Sequence, residues 1–273
     1  MALIVALVTP QTHYVRTADI PYAEGARGKL DVYVPRAAHA GAPMVVFVYG
    51  GSWDSGEKAV YRFVGAALAS RGVVVAIPDY RVYPEVRWPA FLDDNAMAVR
   101  WAKDHAADYG ADPGKLFLMG HSAGAYDVAM LGLDRRWLGA VGLDPRRDVR
   151  GVIGLSGPYD FLPLVKPELK TIFGPEDRLP DTQPINHVDG QAPPFLMVAG
   201  EADTTVYPRN TVHLAKAITA RGGQAETVFY PGIKHVGTVT SFLPVFGSHI
   251  DVPRRVLAFI RKLSAGAAVK AAA

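Results

Sequence analysis

Seven short apolar runs, rich in β-branched residues, constrain this chain more than any other feature. They are LDVYV (30–34), MVVFVY (44–49), VVVAIP (73–78), KLFLMG (115–120), GVIGLS (151–156), FLMVA (195–199) and ETVFY (226–230). The middle runs are continuously apolar rather than alternating, as strands covered on both faces must be. Between the runs the apolar spacing turns helical, in VYRFVGAALASRG (60–72), FLDDNAMAVRWAKDHAADYG (91–110), GAYDVAMLGLD (124–134), YPRNTVHLAKAITARGG (207–223) and VPRRVLAFIRKLSAG (252–266). Glycine closes several of these, where a left-handed residue ends a helix. Strand and helix in alternation specify an α/β chain with a mostly parallel sheet and helices on both faces. HYVRTADIPYA (13–23) and the run after it read as an antiparallel edge.

No repeat and no Gly/Ser linker divides the sequence, so 1–273 is expected to form a single domain. Residues 157–193 interrupt the alternation with a Pro-rich stretch, expected to be a loop-rich insertion with little regular structure. It follows the C-terminal end of a strand, where open α/β sheets bind ligands. With 49% hydrophobic and 20% charged residues the composition is that of an ordinary globular protein. A net charge of +3 carries no basic stripe with interleaved aromatics, and Arg146, Arg147 and Arg150 read as a solvated loop, so no nucleic-acid partner is expected. The absence of cysteine excludes disulfides, thiolate catalysis and Cys-type zinc sites. MALIVALVTP is too short to span a bilayer. It reads as a helix turn packing on the domain or as the start left when a longer export segment is removed, and the compartment stays open. The Ala-rich tail AGAAVKAAA reads as frayed.

Gly120-His121-Ser122-Ala123-Gly124 is G-x-S-x-G, placed after a strand and before a helix. A sharp strand-to-helix turn there presents the serine hydroxyl above the sheet. The flanking glycines let neighbouring backbone pass, and the helix N-terminus favours developing negative charge. The plainer alternative makes Ser122 a helix N-cap. A serine nucleophile needs a base, and the base needs an orienting acid. On this architecture they follow in the order Ser, acid, His, each on a loop after a strand. Asp203 lies just beyond FLMVA and His235 just beyond ETVFY. Asp160, after GVIGLS, is the rival acid, and Glu201 is a weaker one. Among the other histidines, His105 and His213 fall on helices, and His187 and His249 on loops without a strand-end position. The oxyanion requires backbone N–H donors. Ala123 supplies one, and Gly51 and Ser52, in the Tyr49-Gly50-Gly51-Ser52-Trp53 loop after the third strand, supply the others.

These residues resemble those of α/β-hydrolase-fold carboxylesterases, in the branch with hormone-sensitive-lipase-like, kynurenine-formamidase-like and feruloyl-esterase-like members. The resemblance runs from about residue 30 to 262. It is carried by YGGSWDSGEK, PDYRVYPEVRWPAFLDD (78–94), GHSAG and the pair AGEADTTV and YPGIKH. The DYR-x-YPE-x-x-x-P element is specific to this branch, where it supports the strand-4 exit and the wall near the oxyanion loop. The oxyanion motif of relatives begins His-Gly-Gly; here Tyr49 replaces the His, and Ser52 stands for a usual third glycine, making the loop more formamidase-like than lipase-like. The donors are backbone amides, so what changes is the side chain that buttresses the loop.

The resemblance implies ester hydrolysis through an acyl-enzyme on Ser122, with His235 as base and Asp203 as its partner. No cofactor is expected, and no metal, since no three His or carboxylate ligands stand at metal spacing. Trp53, His121, Tyr159 and Phe242 are the candidate substrate-binding residues, with Phe161, Phe173 and Leu243 nearby; each reads equally as core. No lid domain is visible, which favours small-molecule esters with short acyl chains or modest aryl groups. Hydrolysis of an aryl formamide is the alternative chemistry, and a non-catalytic ligand-binding scaffold is the alternative of another class. The edge strand and C-terminal helix suit a monomer or a homodimer.

Overall fold

A strand that is apolar on both faces has to be covered on both, and the middle runs above form strands so covered. The computed structural model describes residues 12–37, 40–244 and 250–271, with side chains described through 265. The 1–10 segment, His249 and the side chains of most of the Ala-rich tail lie outside the described residues. Eight strands make one sheet: β1 (Tyr14–Pro21), β2 (Lys29–Pro35), β3 (Ala42–Val48), β4 (Val74–Pro78), β5 (Ala111–His121), β6 (Gly151–Leu155), β7 (Phe195–Gly200) and β8 (Ala225–Tyr230). Their order is β1-β2-β4-β3-β5-β6-β7-β8. The β1–β2 and β2–β4 pairings are antiparallel and the rest parallel. This is the mostly parallel sheet that the alternation implies and the α/β-hydrolase fold that the resemblance implies, with its antiparallel edge at the N-terminal end.

Every residue of β4, β6 and β7 is buried. Each fully buried large aliphatic side chain in them contributes about 1.5–3 kcal/mol. β8 stands at the far edge of the sheet, and none of its residues is fully buried. The helices are α1 (Arg62–Ala69), α2 (Ala90–Asp104), α3 (Ala123–Leu133), α4 (Arg135–Ala140), α5 (Pro145–Asp148), α6 (Pro167–Phe173), α7 (Arg209–Ala220), α8 (Gly237–Thr240) and α9 (Val252–Ala271). Adjacent residues of β6 meet helices on opposite faces: Gly151 abuts Phe259 and Leu263 of α9, and Val152 abuts Gly132 of α3.

Three expectations are corrected. The helical pattern over 91–110 breaks at Asp104; a 3-10 turn over Ala107–Tyr109 follows, and Gly110, at φ 75°, closes that turn. Residues 157–193 carry more regular structure than expected: α6 and 3-10 turns at Glu176–Thr182 and Pro184–His187. Proline at the first turn of α6 and of the second 3-10 helix lacks an N–H that would be unpaired there anyway. The C-terminal helix continues past Gly266 to Ala271. Among the described residues no helix is long and apolar enough to cross a membrane.

Candidate active site

β5 ends in His121, and α3 begins at Ala123, which leaves Ser122 alone to make the turn between them. It does so at φ 55° and ψ −120°, a conformation that a residue with a Cβ adopts only at a cost of order 1–3 kcal/mol. Close packing explains the glycines beside it. A Cβ on Gly120 would strike the carbonyl of Gly124, and one on Gly124 the carbonyls of Val48 and Tyr49. Ser122 N–H donates to Leu155 O at 2.9 Å, tying the turn to β6.

The turns after β7 and β8 bring Asp203 and His235 to the same place. His235 Nε2 lies 2.8 Å from Ser122 Oγ, and His235 Nδ1 lies 2.8 Å from Asp203 Oδ2. A carboxylate only accepts, so Nδ1–H donates to Asp203 and Nε2 is left to accept the serine O–H. Asp203 is buried, and its Oδ1 accepts the amides of Thr205 and Val206, both at 2.9 Å. Ser122 and His235 keep partial exposure, which a reacting pair requires. The rival acid Asp160 is turned elsewhere, against His213 Nδ1 at 2.6 Å on α7. Glu201 is exposed at the turn. His105 faces Asp108 and His187 the carbonyl of Asp181.

The loop after β3 runs beside this group. Gly50 packs so closely that a Cβ there would come within 2.8 Å of Ser122 Cβ. Gly51 has φ +146°, and a Cβ on it would collide with the carbonyl of Ser55. Ser52 and Trp53 follow at φ 52° and 59°. Among the described residues the amides of Gly51, Ser52 and Ala123 donate to no backbone acceptor. Tyr49 is fully buried, its ring stacked on Tyr61 and Tyr80. Its hydroxyl donates to Asp79 Oδ1 at 3.0 Å and accepts from Arg27 at 3.1 Å. Burial, reinforced by the Asp79 charge, raises the Tyr49 hydroxyl well above the ordinary tyrosine range, so it stays a donor. The DYR element closes the same support. Tyr80 Oη donates to Tyr49 O at 2.8 Å, Tyr83 N–H to Trp53 O at 2.7 Å, and Arg81 pairs with Asp94 at 2.6 Å.

The four candidate substrate-binding side chains are all packed away from solvent. Trp53 sits among Phe91, Tyr126, Phe161 and Phe173. Tyr159 lies against Gly154 and Gly157. Phe242 helps line a cavity of about 1370 Å³ between α1, α9 and the start of β1, whose lining includes none of Ser122, Asp203 or His235. His121 is 3% exposed, and its Nε2 faces the carbonyl of His235 at 3.4 Å. Burial, with the neighbouring His235, pushes the His121 imidazole down to about 3, which keeps it neutral.

Sequence reasoning missed the side chains that hold these loops. Thr238 Oγ1 bridges Ser156 Oγ at 2.9 Å and the carbonyl of His235 at 3.3 Å. Asn210 Oδ1 accepts the amides of Tyr159 and Asp160 at 2.9 and 2.8 Å. Proximity to motif residues marks Thr238, three positions after His235, but nothing local marks Asn210. Among the described residues no group of three or more His, Asp or Glu side chains is arranged to hold a metal ion.

Sheet, elbow and sequence likeness together place the chain among the α/β-hydrolases. Within that class it belongs to the BD-FAE family, whose profile matches residues 30–218. It is 28% identical over 250 residues to a probable isoprenylcysteine alpha-carbonyl methylesterase of Arabidopsis thaliana, covering 81% of this chain and 51% of that protein. It is 33% identical over 147 residues to the kynurenine formamidase of Salmo salar, covering 54% of this chain and 47% of that protein. The chain thus spans about half the length of the curated relatives it matches. An inhibited esterase B from Lactobacillus rhamnosis superposes with a TM-score of 0.84 at 19% identity, over 100% of this chain and 94% of that one, a likeness of fold.

Proposed function

We propose that this protein is a serine carboxylesterase that hydrolyses short-chain or small aryl esters through an acyl-enzyme, within one domain. The observation that carries the reading is the unbroken line Asp203–His235–Ser122, with both links at 2.8 Å. In this reading His235 Nε2 takes the Ser122 proton as Oγ attacks the ester carbonyl. Asp203 keeps the imidazole in the productive tautomer and stabilises its cation. The amides of Gly51, Ser52 and Ala123 receive the oxyanion. The alcohol departs with the proton from His235, and water repeats the sequence on the acyl-enzyme. Trp53 and His121 pack beneath the oxyanion loop and the elbow, Tyr159 packs against the end of β6, and Phe242 lines the separate cavity. The insertion lends support to small substrates: α6 sends Phe173 against Trp53 instead of building a separate cap.

Nitrophenol release from acetate, butyrate and octanoate esters tests this, wild type beside Ser122→Ala. Turnover is expected on the short esters and is expected to vanish in the variant. A folded wild type that releases nothing would refute the esterase reading. The likeness to a kynurenine formamidase favours a second reading, hydrolysis of an aryl formamide by the same groups. Faster turnover of an N-formyl arylamine than of the matched ester would establish it.

A further inference from the structure

Helix α3 is buried along its whole length, and one of its side chains is chemically out of place there. Asp127, five residues past Ser122, is 0% exposed. Among the described residues no Lys, Arg or His forms an ion pair with it. Two neutral N–H groups meet its oxygens: Trp53 Nε1 reaches Oδ1 at 2.9 Å, and Asn95 Nδ2 reaches Oδ2 at 3.2 Å. Burial drives the carboxyl well above the usual carboxylate range, against the pull of these donors. A buried acid with no counter-ion is costly, and an apolar residue would fill this helix better. Asp127 makes no hydrogen bond to Ser122, Asp203 or His235, so it has no part in the proton transfers.

What it holds is the oxyanion loop. Gly51, Ser52 and Trp53 have φ of 146°, 52° and 59° in succession. Non-glycine residues stay in that region only where the surroundings over-determine them. The Trp53 ring meets Tyr126 and Phe173 edge-on at 5.1 and 4.7 Å. These aromatic contacts favour an edge-on geometry but fix no single atom of the indole. The indole–carboxyl bond is directional. It ties the loop to the same helix whose first residue, Ala123, supplies the other amide.

We propose that Asp127 is a positioning residue for the oxyanion loop, acting through the Trp53 indole to hold the left-handed turn that aims the Gly51 and Ser52 amides. This rests on reading those amides as the oxyanion donors. The indole N–H needs an acceptor at one point, and an amide oxygen can stand there as well as a carboxyl.

The test compares Asp127→Leu, Asp127→Asn, Trp53→Phe and the Asp127→Leu/Trp53→Phe double variant. Turnover of nitrophenyl acetate is measured per active site titrated with a phosphonate, and the Gly51 and Ser52 amides are followed by NMR. Asp127→Leu is expected to lower kcat by about 10- to 100-fold, up to the low end of the cost of losing an oxyanion donor, with KM little changed. Asp127→Asn is expected to recover most of that loss, and the double variant to be no slower than Trp53→Phe. Asp127→Leu with unchanged kcat per titrated site, or losses that simply multiply in the double variant, would overturn the proposal. If Asp127→Leu does not fold, Trp53→Phe removes the same bond from the other side. Its Gly51 and Ser52 amide resonances are then expected to move, and fixed resonances would overturn the proposal. An inactive wild type refutes the esterase reading alone, since the amide shifts still report on the positioning.

Discussion

Ser122→Gly is expected to be more stable than Ser122→Ala, although both are inactive. The two variants share the loss of the hydroxyl and of its hydrogen bond to His235, so their difference isolates the backbone. At φ 55° and ψ −120° an alanine keeps the Cβ clash of the serine, worth about 1–3 kcal/mol. Glycine escapes the clash but gives up about 0.5–1 kcal/mol more chain entropy on folding. The middle of each range leaves about 1 kcal/mol in favour of glycine. For 273 residues the unfolding entropy is roughly 570 cal/mol/K, at about 2.1 cal/mol/K per residue, so the expected rise in Tm is about 2 °C. Thermal melts with urea titrations at one temperature read this directly. A Ser122→Gly protein equal to or less stable than Ser122→Ala would mean that the turn is not strained, and the reasoning from backbone geometry would fall.

Asp203→Asn is expected to cut kcat by about 10⁴-fold through the wrong imidazole tautomer. Asp160→Asn, which only loosens the His213 contact, is expected to leave ester turnover within about threefold, and the reverse ranking of the two would refute the assignment of the acid. Tyr49→Phe removes the bonds to Asp79 and Arg27 and is expected to cost about 1–2 kcal/mol in urea unfolding, while kcat falls less than tenfold because the amides remain. His121 has a folded value of about 3, below its ordinary one, so the folded state resists its protonation. The stability that goes with this is complete above about pH 6.5 and is lost as pH falls toward 3, at up to about 1.4 kcal/mol per unit. The stability of the wild type relative to His121→Gln is therefore expected to narrow over that window in urea titrations, and parallel pH profiles would contradict it.

Strand positions were legible because each is written locally, in a β-branched run that ends at a turn. The placement of Ser122, Asp203 and His235 was legible for the same reason, since they follow such runs by two, four and five residues. What could not be read is non-local. Nothing in GPYDFLPL says that the side chain of Asp160 turns toward α7, some fifty positions on. The helical pattern of 91–110 hides the break at Asp104, because the residues of a 3-10 turn keep much the same apolar spacing. α3 shows why Asp127 went unnoticed. A helix buried on every side has no polar face against which an acid would stand out.

Tyr49, at the place where the resemblance implies His, is intelligible from what surrounds it. A tyrosine ring carries its hydroxyl farther from the backbone than an imidazole carries its nitrogens. Here that hydroxyl passes between two tyrosine rings to reach Asp79 at the end of β4. Asp79 also accepts the Lys58 amide at 2.7 Å, and Arg27 binds the Tyr49 hydroxyl together with the carbonyls of Gly56 and Tyr80, each at 3.1 Å. Arg27 comes from the turn between β1 and β2, so the antiparallel edge of the sheet braces the start of the oxyanion loop. The far end of that loop is braced from the opposite direction, by Asp127 on the central helix. A histidine at 49 would reach neither Asp79 nor Arg27 without moving the loop that carries it. The Tyr49, Asp79, Arg27 and Tyr80 side chains therefore form one unit, and exchanging Tyr49 alone for His is not a conservative change.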